Sequence, residues 1–577
     1  MKISCGHIIA KALRDENIHH GFGIPGTHNI ELYDALSEDE SFISILVTDE
    51  QCASFMVDGF ARASGKMAMV NVVPGAGLTH AMSGIAEAYM DQVPMLVLTC
   101  GIRQDTGNAY QLHDVDQVAM ATPVCKKTYR IRTHAELYKS LREACTIARQ
   151  APGGPVLVEV PANLYLFPGD LSEGDLTWEN PQTWLSEIDP SKMTEIVKLL
   201  GQCHSLVIYV GAGAVDGRNK LVELADHLDA VVFTSLSGKG VFPENHPRWG
   251  WNTMGPAAPK GLREFGDQAD CILAIGCRFG EVATASFGFK LPKNLIHIDA
   301  DASVFNRNYP AKITLKADAQ VALRALLAHP DLPAKKSDAK KMAQLKKAHD
   351  EVTREQSSYV SSEDRVSPKK LLMTLQNDFG PDTVFVTDSG NGTFLAMEHL
   401  RLTRQRSFLG PMDYSCMGYS VPAAIGAKIS CPERPVIALT GDGAFLMTGM
   451  ELVTAVHGGV GVVILILRDG ELSQIAQFQR ISLNRQTLTT LAPLDFQSFA
   501  KAVGADYLSI ASDTDIVSVV AKAKEITSQH KPVLLEVRID YSQKTYFTAG
   551  VVKTNFLRFP WKDRLRLAGR VIKRKFF

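Results

Sequence analysis

The chain has 577 residues and a mass of 63.0 kDa, enough for three or four domains of about 150 residues each. Hydrophobic residues make up 45% and charged residues 21%, and 61 basic residues stand against 62 acidic ones for a net charge of −1. That balance excludes a disordered polyelectrolyte, and it excludes a fold that grips nucleic acid over a broad basic surface.

In chain order, a loop at Gly23 to Thr27 follows an expected strand and carries His28. Residues 43–47 predict a strand ending in Thr48-Asp49-Glu50, and the helix after it has Ala53, Met56, Val57, Phe60 and Ala61 on one face. The spans 67–73, 95–99 and 156–160 predict further strands, with a Gly75–Gly77 turn and a helix to Tyr89 after the first of them. Strands at 206–210, 230–233, 271–275 and 295–298 form a second group, and strands at 384–386, 436–439, 462–467 and 533–537 a third. Continuous apolar strands separated by helices imply parallel sheets covered on both faces, so the fold class is α/β with three doubly wound parallel-sheet domains.

Residues 167–190 are rich in Gly, Pro, Asp and Ser, and residues 330–370 are densely charged; both read as connecting segments. They divide the chain into domains at 1–170, 190–330 and 365–545, followed by a basic tail at 546–577. The ten cysteines form no C-x-x-C pair and read as small core residues in a reducing compartment. The N-terminus lacks an apolar signal region, and the longest apolar run, 460–467, falls far short of a membrane span, so a cytoplasmic location is expected.

The strongest chemical signal is Gly441-Asp442-Gly443 after a predicted strand, with Arg468-Asp469-Gly470-Glu471 at the end of the next. Two carboxylates are thus expected at the C-terminal edge of one parallel sheet, where open α/β sheets bind ligands. Asp442 and Asp469, with the Glu471 carbonyl, suit Mg²⁺, and the glycines let the backbone approach phosphate. The stretches Ser415–Ala427 and Gly441–Leu452 extend the pattern, and together they resemble the thiamine-diphosphate enzymes of the acetolactate synthase and pyruvate decarboxylase superfamily. The usual motif ends in two asparagines where this chain has Arg468-Asp469.

The resemblance covers about residues 1–545 and implies the remaining roles. Its three domains would be pyrimidine-binding, central and diphosphate-binding. Glu50 would hydrogen-bond N1′ of the cofactor's aminopyrimidine, Met417 would prop the cofactor into its bent form, and the Ser415 carbonyl would accept from its amino group. Gly75, Asp388, Asn391 and Ala444 join Gly441, Asp442 and Gly443 as cofactor-binding positions. His28 and His113 are the proton-transfer candidates, and His80 stands where an asparagine is common. In the central domain Gly211-Ala212-Gly213 hints at a nucleotide, and Arg278 matches a common arginine, but Gly280-Glu281-Val282 departs from the flavin-containing synthases, so FAD is admitted without being favoured.

The implied activity is thiamine-diphosphate- and Mg²⁺-dependent decarboxylation of a 2-oxo acid, with carboligation of the enamine to an acceptor carbonyl. A simple decarboxylase or an FAD-dependent oxidase is the alternative. A homodimer or homotetramer is expected. The last 25 residues carry nine basic residues against Asp563 alone, a net charge of +8. A helix from Trp561 with a stripe through Leu565, Ala568 and Ile572 would suit either an anionic membrane surface or an arm docked on the protein itself.

Overall fold

The computed structural model describes residues 1–179, 188–362 and 364–576. Each of the three domains is a six-stranded, wholly parallel sheet flanked by helices. The first sheet runs Ile43–Leu46, His20–Gly23, Met69–Val72, Met95–Gly101, Pro155–Pro161, Lys127–Arg130 in spatial order. The third runs Phe408–Leu409, Val384–Thr387, Val436–Gly441, Val463–Arg468, Val533–Arg538, Asp506–Ile510. With strands numbered within each domain, both follow the order 2-1-3-4-6-5. The middle sheet runs Trp249–Asn252, Val231–Thr234, Leu206–Val210, Cys271–Ile275, Asn294–Asp299, Ile313–Lys316, the 3-2-1-4-5-6 order of dinucleotide-binding folds.

The central strands are apolar throughout because both faces are covered: Val463, Ile464, Leu465 and Ile466 are all fully buried. One core unites the first and third domains. Helix Glu50–Ser64 lies against helix Ser420–Ser430, and Phe55, Met56 and Val57 share a cluster with Ala423, Ala424 and Ile425. The single apolar face expected for the first helix is therefore too narrow. Cys52 through Ala61 are all buried, because the sheet lies on one side of the helix and the partner helix on the other.

The segment at 330–370 is more than a connection. Helix Ala339–Ser357 spans its middle and buries Leu345, Ala348 and Val352 against the middle domain. Its charges mark the solvated side of an amphipathic helix. In the earlier connection Gly169–Asp170 pairs with Lys2–Ile3, and part of that segment, 180–187, lies outside the described residues. The tail forms two helices, Tyr546–Arg558 and Trp561–Phe576. The first packs on the middle domain so closely that a Cβ on Gly550 would stand 2.5 Å from Ala257 Cα. The second lies beside helix Ser473–Leu483, where Asn484 Nδ2 donates to the Arg574 carbonyl at 2.8 Å. Among the described residues no helix is long and apolar enough to cross a membrane, and the ten cysteines are all free.

Candidate active site

In the third domain the strand order reverses between Val384–Thr387 and Val436–Gly441, and a cavity opens at their C-terminal ends. Asp388, Asn391, Met417, Gly441, Asp442, Gly443, Ala444, Asp469 and Glu471 all line it, as their motifs led one to expect. Asp442 opens helix Asp442–Thr448 and is buried; its carboxylate accepts from the Gly443, Asp469 and Gly470 amides at 2.9, 3.2 and 2.7 Å. Burial raises its pKa. Asp469 is pushed up to about 7, first by burial and then by the charge of Asp442. Two desolvated carboxylates that repel one another in one cleft are chemically compatible with a hard divalent cation, which would relieve the repulsion.

Other residues in this cavity have tasks that their motifs did not specify. The Asp388 carboxylate is occupied by its own chain. It accepts from the Ser389, Gly418 and Ser420 amides at 2.9, 2.9 and 2.8 Å and from Ser420 Oγ at 2.7 Å. It braces the loop carrying Ser415 and Met417. Ser415 sits at φ +67° with its hydroxyl 2.8 Å from Ser389 Oγ. Asn391 Nδ2 donates to Ser473 Oγ at 3.1 Å. The Glu471 side chain pairs with Arg480 and accepts from Gln486, which leaves its main chain as the group to consider for a metal. Leu472, Ser473 and Tyr541 also line the cavity but belong to no recognisable motif.

The remaining candidates gather in the first domain. Glu50 is the first residue of its helix, behind an Asp49 cap on the Gln51 amide. A Cβ on Gly77 would lie 3.1 Å from Glu50 Oε1, so that glycine keeps space beside the carboxylate. His80 Nδ1 stands 3.6 Å from Glu50 and 3.7 Å from Asp49. These three are the one group of three ligand-type side chains within mutual reach among the described residues. The rings of His28 and His113 meet edge to face at 5.5 Å. Burial, then the neighbouring His113, lowers the His28 pKa. Gly75 sits at φ +61° against the His113 backbone, with its amide donating to the buried Gln117 at 3.0 Å. None of these first-domain residues lines the cavity around Asp442.

A buried charge network ties the halves together. Arg62 pairs with Asp58 at 2.6 Å and Asp91 at 2.9 Å, and Tyr419 donates to Asp58. Glu451 accepts from the Thr48 amide and hydroxyl, two residues ahead of Glu50. Arg278 pairs with Asp413 and donates to the Met90 carbonyl, which makes it a strut between domains. Glu87 accepts from the Cys416 amide at 3.1 Å, next to Met417. Its pKa is raised to about 8 by burial, with the Asp91 charge next.

Sequence models of the thiamine pyrophosphate enzymes match in all three domains. The N-terminal TPP-binding domain matches residues 3–120, the central domain 193–326 and the C-terminal TPP-binding domain 388–537. The chain is 31% identical to a probable acetolactate synthase large subunit of Methanocaldococcus jannaschii over 92% of its own length and 91% of the relative's. It is 27% identical to the acetolactate synthase isozyme 3 large subunit of Escherichia coli, over 94% and 96%. The chain therefore belongs to the thiamine-diphosphate enzymes of the acetolactate synthase and pyruvate decarboxylase superfamily.

Glu87 offers a test of the buried network. Arg62 sits closer to Asp58 and Asp91 than to Glu87, which it approaches only to 4.0 Å, so burial outweighs its pull and Glu87 keeps its proton in the fold up to about pH 8. Unfolded, it releases that proton at about pH 4.3. Between those values the unfolded state binds fewer protons, so wild-type stability falls as pH rises. Glu87→Gln removes this loss. Its melting temperature is expected to match wild type below about pH 4 and to exceed it increasingly up to pH 8. A variant that loses ground with rising pH would show that Glu87 is charged and paired.

Proposed function

We propose that the protein decarboxylates a 2-oxo acid and joins the remaining carbon unit to the carbonyl of an acceptor, using thiamine diphosphate and Mg²⁺. The observation that carries this reading is the facing pair Asp442 and Asp469 at the edge of the third sheet. Bound thiamine diphosphate supplies the electron sink that lets a 2-oxo acid lose CO₂ and the product form a carbon–carbon bond. Asp442, Asp469 and the Glu471 main chain hold the cation. The Gly441–Ala444 backbone lies open to a diphosphate, Met417 offers an apolar prop, and the Ser415 carbonyl is an acceptor. Glu50 would hold a proton toward the cofactor's aminopyrimidine. His28, touching His113, can take or return a proton beside the substrate.

The cavity around Asp442 is lined by its own domain alone, which supports a site to which a second copy of the chain supplies Glu50. The assembly is then a homodimer, or a homotetramer built from two such dimers. A simple decarboxylase is the second reading, favoured by the His28–His113 contact, since a proton donor beside the site would end the reaction by protonation. Flavin stays disfavoured. At the reversal point of the middle sheet a Cβ on Gly211 would lie 2.0 Å from the Gly276 carbonyl, so these glycines serve the packing of one loop on another. Free cysteines fit a reducing, cytoplasmic setting.

The tail supports contact with an anionic membrane surface. Trp561, Leu565 and Ile572 of the expected stripe remain 65%, 60% and 57% exposed, amid the +8 charge. The full chain should co-sediment with vesicles containing phosphatidylserine and a chain truncated near Thr548 should not; equal sedimentation would remove the membrane role.

Glu50→Gln is expected to lower turnover by far more than about tenfold, a barrier change above about 1.4 kcal/mol, while Mg²⁺-dependent cofactor binding persists. Asp442→Ala should abolish that binding. Titration calorimetry and product analysis over a panel of 2-oxo acids would check both. A Glu50→Gln enzyme retaining a tenth of wild-type rate, or tight cofactor binding by Asp442→Ala, would contradict the reading.

A further inference from the structure

We infer that a second cavity, at the opposite end of the strand that leads to Asp388, binds a small organic anion carrying a phosphate ester or a carboxylate. The cavity has a volume of about 430 Å³, within the range of small-molecule sites. It lies among helix Ala339–Ser357, helix Pro368–Phe379 and the residues after helix Asn391–His399. Lys369 and Arg401 line it, and no lining residue is acidic.

Both cations lack an anionic partner. Lys369 Nζ donates only to the Thr353 carbonyl and Ser357 Oγ, at 3.2 and 2.7 Å. Arg401 gives one nitrogen to the Glu398 and Leu400 carbonyls and rests over the Trp249 and Trp251 rings at 5.1 and 4.8 Å. Among the described residues no carboxylate forms an ion pair with either. The nearby buried carboxylates are already engaged. Glu244 is bound by Lys239 and the Leu402 amide, and Glu398 by Gln356 and the Tyr546 amide.

His399 supplies the independent observation. It lines the cavity, is only 8% exposed, and its buried Nδ1 has no hydrogen-bond partner. Its pKa is depressed to about 3 by burial, then by Arg401, Lys369 and Lys239. The cavity thus holds two cations that contact no carboxylate, although Glu244 and Glu398 attract Arg401 through space, and an unspent polar group, while Met373 and Pro381 offer an apolar wall for the ligand's body. The guanidinium rests over the indoles and spends only one nitrogen on carbonyls, and its other N–H donors suit a planar or tetrahedral oxyanion.

The test uses the full-length protein loaded with thiamine diphosphate and Mg²⁺, so that the cleft at Asp442 is filled. Phenyl phosphate and benzoate, with phenol as the uncharged control, are titrated calorimetrically into wild type, Lys369→Met and Arg401→Met. Saturable binding of at least one anion is expected, weakened about tenfold or more in each variant and absent with phenol. Preference between the two anions tells a phosphate ester from a carboxylate. Lys369 is partly exposed, so its variant decides the matter even if Arg401→Met fails to fold. No binding of either anion to wild type at about 10 mM, or binding undiminished in Lys369→Met, would overturn the inference.

Discussion

Two helix backbones touch at the centre of this molecule, and the candidate site residues of the first and third domains hang from that contact. A Cβ on Gly59 would stand 2.1 Å from the Ala423 carbonyl oxygen, and one on Gly426 would stand 2.0 Å from that of Met56. Only glycine at both crossings allows helix Glu50–Ser64 to meet helix Ser420–Ser430 at this distance. The first helix begins with Glu50. The second follows directly on the loop that Asp388 braces and that carries Ser415 and Met417. Moving one helix by an ångström would shift Glu50 and the loop carrying Met417 together.

Charge secures what the glycines permit. Arg62 and Tyr419 meet on Asp58, and Thr48 is tied to the buried Glu451 of the third domain. Such buried groups persist because each has its partners, and removing one would strand the others. The carboxylates at the sheet edge differ in this respect. Asp388 is fully occupied by amides and a hydroxyl and acts as a brace. Asp469 keeps a raised pKa beside Asp442, which a bound cation would relieve.

The sequence showed most central strands plainly and, apart from Ile43–Leu46, the edge strands poorly. Strands such as Val463–Arg468 are covered on both faces and read as unbroken apolar runs. Lys127–Arg130, Trp249–Asn252 and Asp506–Ile510 each have one neighbour and a mixed composition, so no run marks them. Helix Ala339–Ser357 hid among its own lysines. At the site, Gly441-Asp442-Gly443 and the Asp469 turn were legible because their spacing is a strand end followed by a strand end. Tyr541 and Ser473 were not, since they reach the cavity from remote or unpatterned segments. Nor could spacing alone show that His28 and His113, 85 residues apart, would touch.

The account's central claim is that each active site joins Glu50 of one chain to Asp442 of another. Mixing Glu50→Gln with Asp442→Ala chains, each inactive alone, tests this directly. After random exchange, half of the dimers are mixed, and each has one sound site of two, so activity should recover to about a quarter of wild type. A mixture as inactive as its two components, with exchange of chains verified, would place Glu50 and Asp442 of each working site on a single chain and contradict the account.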